Sequence, residues 1–156
     1  MPYLPGLGER VTRPTAVIGG IAVHDIFTIA GGIVLVTQLV GRVTILMDAT
    51  LSTLTMAHSV GPTNISGALA AIANNGVGTI YTIIGAFADL MYAGVAGVPI
   101  RGGFQGGLAA GAGVIANGIL MFTGTITYAN SGVQTGSVEW TLCYIPITVG
   151  ATVVVA

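Results

Sequence analysis

Two histidines, five acids and one cysteine carry almost all the titratable chemistry in this chain outside its arginines and tyrosines. His24 and Asp25 are adjacent, so on a strand they point to opposite faces and cannot form a relay. His58 lies far along the chain. A Ser-His-acid site would need a serine brought in by tertiary structure, and no G-x-S-x-G elbow occurs. Glu9, Asp25, Asp48, Asp89 and Glu139 are scattered, and a paired-carboxylate hydrolase would need two of them brought together. A lone Cys143 excludes an internal disulfide and a multi-cysteine zinc site. "GAGVIA", Gly111 to Ala116, has the G-x-G-x-x-A form of a dinucleotide turn. It follows no clear strand, and among 25 glycines such a match arises by chance. Asn64-Ile65-Ser66 is a formal glycosylation sequon without a secretory signal before it: "MPYLPGLGER" lacks the basic-then-apolar order. The expectation is a protein that is not an enzyme and has no catalytic residue, metal site or cofactor.

Composition points the same way. The chain has 156 residues, enough for one domain with a sizeable core. Charged residues make up 6%, against about 25% in ordinary soluble domains. The net charge of -1 gives no positive field for phosphates, so nucleic acid is not an expected partner. It also gives little colloidal protection to a free monomer, so part of the surface is expected to meet protein. The chain reads as a homo-oligomer, dimer or trimer. A membrane protein is the rival reading. The two long uncharged stretches, Asn64 to Ala88 and Gly102 to Val138, are broken by Asn, Gln and Gly, and Arg10, Arg13, Arg42 and Arg101 do not flank spans.

The elements that must position any site read as strands. In "GSVEWTLCYIPITVGATVVVA", Val138, Trp140, Leu142 and Tyr144 fall on one parity, and Glu139, Thr141, Cys143 and Ile145 on the other. That alternation makes a strand with one apolar face, and the four odd-one-out residues Val138, Trp140, Leu142 and Tyr144 are the expected core. Pro146 ends the ladder and "ATVVVA" makes a last short strand. "IAVHDIFTI", "IVLVTQLVGRVTILM", "VGTIYTIIGAF" and "VIANGILMFTGTITYANSG" read as further strands, with "AGG" and Asn117-Gly118 as turns and Gly41 as a bulge or bend. "TLSTLTM" is a weaker strand or edge. "NISGALAAIANNG" predicts a short helical segment capped by Asn64 or Ser66 and stopped by Asn75-Gly76. "ADLMYAGVAGVPIRGGFQGGLAAGAG" reads as a long loop. About eight strands separated by turn signals predict an all-β fold, a single β-sandwich or jelly-roll-like domain over residues 16–156. Residues 1–15, dense in Pro and Gly, predict an extended N-terminal arm. Tyr3, Leu4, Leu7, Arg10 and Arg13 are its candidate interface residues, expected to dock on a neighbour.

The closing segment, with "FTIAGGIVLVTQLVGRVT" and "GVGTIYTIIGAF", resembles the strand pattern of small structural proteins of tailed bacteriophages over about half of the chain after residue 15. The likeness does not extend to the Gly- and Ala-rich region from Ala93 to Gly113. The resemblance implies a virion component, of the capsid decoration (cement) type, that sits on the capsid surface and bridges neighbouring subunits of the major capsid protein. A tail or fibre-attachment component is the alternative within the same class.

Overall fold

Strand β10 (Gln134–Pro146) runs between two long neighbours, β2 (Gly8–Gly19) and β4 (Val34–Ile45), and pairs antiparallel with both. The computed structural model describes residues 3–4, 8–60, 64–69, 71–83, 92–94 and 118–156, with the backbone alone for 3–4 and 92–94. The alternation in β10 decides which way the sheet faces. Val138, Trp140, Leu142 and Tyr144 are all buried, while Glu139, Thr141 and Ile145 lie partly exposed on the other side. Around this centre the first sheet runs β1 (Tyr3–Leu4), β2, β10, β4, β6 (Ile80–Thr82) and β7 (Tyr92–Gly94), with β8 (Ile119–Met121) pairing another stretch of β4.

The second sheet has the order β11 (Thr152–Val155), β3 (Val23–Ala30), β9 (Gly124–Asn130) and β5 (Leu54–His58). Every pairing in both sheets is antiparallel. One buried cluster joins the sheets. Ile26, Phe27 and Ile29 of β3, Leu54 and Met56 of β5 and Ile126 and Tyr128 of β9 belong to the same core as Val36, Leu39 and Val43 of β4 and the buried face of β10. Apolar burial of this kind is the main term holding an all-β domain together. Rings cross the layer: Trp140 lies 6.0 Å from Tyr128 of the second sheet and 6.5 Å from Tyr81 of the first, and the His24 ring stacks on Tyr128 at 4.8 Å. The Tyr128 hydroxyl donates to the Ile18 carbonyl of the first sheet at 3.1 Å, so its buried polar end is satisfied.

Four expectations are corrected. Residues 8–15 are strand, not an irregular arm: β2 begins at Gly8 and holds register with β10 from Glu9 to Gly19. Pro14 is tolerated because it falls where Arg13 pairs with Trp140 and Ala16 with Val138, a bulge with one extra residue on β2. Residues 1–2 and 5–7 lie outside the described residues. The short helix predicted from "NISGALAAIANNG" is absent among the described residues. Ile65, Leu69 and Ile72 are buried at helix-like spacing, yet the backbone is spent on the free edge of β5: Ile65 donates to Met56, and Leu54 and Leu69 exchange both backbone bonds. An open strand edge beside the core needs those partners more than a two-turn helix needs its own. Asn75-Gly76 falls between two turns, after Asn74 at φ 59°. The predicted long loop contains strand β7, which pairs with β6. Gly41 is no bulge: it pairs squarely with Trp140, and a Cβ there would stand 2.6 Å from the indole. The bulges in β4 fall at Thr44 and Thr37 instead.

The Tyr144 hydroxyl of β10 donates to the Glu9 carboxylate of β2 at 2.7 Å. Burial, then the Glu9 contact, pushes the Tyr144 phenol up from its ordinary value of 10.0. Burial likewise pushes Tyr81 up to about 12, although Asn75 donates to its oxygen at 2.9 Å.

Candidate functional site

The residues with catalytic chemistry are kept apart. His24 pairs in register with Tyr128 and Asp25 with Thr127, so their side chains lie on opposite faces of β3. The His24 Nε2 lies 3.1 Å from the Gly20 carbonyl. His58 is buried, with Nε2 3.0 Å from the Phe122 carbonyl and Nδ1 against the Val60 backbone. Both rings thus fasten connections to strands. Glu9 takes the Tyr144 hydroxyl, Glu139 pairs with Arg42 at 3.1 Å, and Asp25 is exposed on the outer face of the second sheet. Asp89 and Gly111–Ala116 lie outside the described residues. Cys143 is buried beside Gln38, and its thiol is pushed up by burial, against a smaller opposing effect of Arg10. That is the setting of a structural thiol. Among the described residues no group of three or more His, Cys, Asp or Glu could hold a metal ion, and no helix is long and apolar enough to cross a membrane.

The expected interface residues do not converge. Arg10 pairs with Cys143 on the outer face of the first sheet, while Arg13 pairs with Trp140 on the inner side and lies near Tyr128. The two side chains therefore start from opposite faces of the sheet. Tyr3 and Leu4 pair with Glu9 and Gly8. Leu7 lies outside the described residues.

What the fold does assemble is one end of the two-sheet stack. Four connections meet there: 20–22 between β2 and β3, 46–53 between β4 and β5, 71–79 leading to β6, and 131–133 between β9 and β10. Hydrogen bonds join them in sequence. The Met47 N–H donates to the Asn75 carbonyl at 3.1 Å, and Asn74 donates to the Asp48 carbonyl at 2.9 Å. The Asp48 carboxylate accepts from the Thr50 N–H, the Thr135 N–H and the Thr135 hydroxyl, at 2.8, 2.8 and 3.0 Å. Gln134 accepts from the Asp48 N–H and donates to the Thr50 carbonyl. The buried Ser52 hydroxyl bridges to Gly132, and the buried Asn130 amide donates to both Gly132 and Gly19. The tips of this rim are apolar and face water: Ile21, Leu46, Leu51, Val77 and Val133 are all exposed, Leu51 to 81%.

Sequence reasoning missed this rim. A signal was present: Gly20-Ile21, Gly76-Val77 and Gly132-Val133 each place a large aliphatic residue just after a turn glycine, where a polar residue is the norm. No protein-family model matches the chain, no curated protein matches it, and no solved structure matches it.

Asp48 provides a check on the rim. The N–H groups of Thr135 and Thr50 hold its carboxyl below the ordinary 3.8. A depressed folded pKa stabilises the fold above the unfolded value, and that contribution disappears as pH falls through the folded value. Acidification below pH 3.8 is therefore expected to lower the denaturation midpoint of the parent more than that of Asp48→Asn. Parallel acid limbs in the two urea titrations would remove Asp48 from this role.

Proposed function

We propose that this chain is a structural virion protein that decorates and cements a phage capsid by bridging neighbouring subunits of the major capsid protein, acting as a homo-oligomer on the capsid surface. The observation that carries the reading is the apolar-tipped rim, with Asp48 its one charged group, built on hydrogen-bonded loops. Such a surface suits lasting contact with protein, because little ordering entropy is lost when it docks. The strand order supports the class. β2, β10, β4 and β6 face β3, β9, β5 and the 64–69 segment, which is the order of two interlocked Greek keys in a jelly roll. Jelly rolls build viral capsid domains among other proteins, so the fold raises this reading by analogy.

The same strand order favours a second reading, in which the chain forms a shell itself. A third, a tail or fibre-attachment component, shares the virion but predicts few copies. The test is re-binding of purified protein to undecorated particles, read by sedimentation, with copy number from mass spectrometry of intact virions. A decoration protein pellets with the particles in a copy number tied to that of capsid subunits, and it raises the temperature at which they open. Closed particles formed by the chain alone would favour the shell reading. Protein that stays in the supernatant and is absent from virions overturns the proposal.

A further inference from the structure

The rim's chemistry selects among the surfaces it could meet. Its four connections contain no Lys, Arg, Trp, Tyr or Phe. A surface that docks on lipid uses cations and interfacial aromatics, and one that docks on nucleic acid uses cations. Its one charged group, Asp48, has both carboxylate oxygens engaged by Thr50 and Thr135 within the rim. One acid held by neutral donors, with no cation beside it, leaves the end a single negative charge and little for a strongly charged partner to bind.

The amount of apolar surface is large for a chain this size. The rim tips Ile21, Leu46, Leu51, Val77 and Val133, together with Ile45 at the end of β4 where the 46–53 connection starts, are 53–81% exposed. Side chains of that size and exposure present roughly 600 Å² together, the upper end of what a monomer shows to water. Two such patches brought together bury about 1,200 Å² in total, the lower bound of a stable specific interface, before any backbone of the rim is added. A two-fold interface sets each patch against its own copy, so any fixed charge would oppose its twin. Asp48 is the one such charge here, and its solvent-exposed setting screens it.

We infer that two copies of this chain associate through this end, the tips of the four connections of one copy packing against those of the other about a two-fold axis. The loops are already tied by the Asp48, Gln134, Ser52 and Asn130 hydrogen bonds, so association orders side chains rather than backbone. The inference rests on the same rim that carries the proposed function and names a second copy of this chain as what covers it.

The test is sedimentation velocity of the full-length purified protein across a concentration series. The parent is expected to sediment as a dimer. Leu51→Glu, which places a carboxylate on the most exposed tip, is expected to weaken association more than about tenfold. Its melting temperature should stay close to the parent's, because Leu51 already faces water. Val149→Glu, on a fully exposed residue after β10 at the opposite end, should leave the dimer intact. Val133→Glu is a second rim variant in case the first folds poorly. A parent that is monomeric at every concentration overturns the inference, as does an oligomer that neither rim variant disturbs. Flotation of monomeric parent with phosphatidylcholine vesicles overturns it in favour of lipid. Binding of the parent and of Leu51→Glu to undecorated particles is measured separately, so loss of the dimer is told apart from loss of particle binding.

Discussion

Trp140→Ala is expected to remove about 3–5 kcal/mol of folding stability, the usual cost of truncating a buried large aromatic side chain. The indole is 1% exposed and belongs to the strand that pairs with both β2 and β4. It is also the ring through which the sheets meet, stacked near Tyr128 on one side and near Tyr81 on the other. Alanine forfeits the burial of the indole and leaves a cavity whose walls are strands locked in register, which cannot collapse far. A domain with a total stability of about 5–15 kcal/mol loses a fifth or more of it, so the variant should unfold at markedly lower urea. Trp140 is the only tryptophan. The transition is therefore followed by circular dichroism rather than by indole fluorescence. A variant as stable as the parent would mean that the indole does not fill the space between the sheets.

Gly41→Ala is expected to cost about 1–3 kcal/mol, for the reason opposite to a cavity. The glycine sits across the ladder from Trp140, and an added Cβ would stand 2.6 Å from Cζ3 and 2.8 Å from two further ring carbons. The ring cannot retreat, because Tyr81 and Tyr128 hold it. The backbone at Gly41 lies outside the left-handed region, so the demand comes from the indole and not from φ. A double-mutant cycle separates the two causes. In a Trp140→Leu background the same alanine should cost far less, giving a coupling energy of about 1 kcal/mol or more. An equal penalty in both backgrounds would place the requirement in the backbone.

The strands that read most plainly in the sequence are those whose pattern is local. Val138, Trp140, Leu142 and Tyr144 alternate with more polar neighbours, and a strand is the one element that puts such residues on one face. "IAVHDIFTI" and the Gly31-Gly32 turn follow from the same local logic. Asn75-Gly76, read as the stop of a helix, falls between two turns, and the helix expected before it did not form. The spacing of Ile65, Leu69 and Ile72 fits a helical face equally well, and only the open edge of β5 shows why those residues are extended.

Alternation, turn chemistry and a near absence of charge determined by themselves that this protein is all-β and poor in titratable sites. Each depends on residues a few positions apart. Tertiary structure alone decided that residues 8–15 are strand, because their partner in β10 lies far along the chain: Thr12 meets Thr141 across a separation of 129 residues. It decided that Arg10 and Arg13 face opposite ways, since the parity of an edge strand has meaning only once its sheet is known. It also brought Ile21, Leu46, Leu51, Val77 and Val133 to one end of the two sheets. No local pattern encodes that gathering, because it arises from antiparallel pairings that return four separate connections to the same edge of the core.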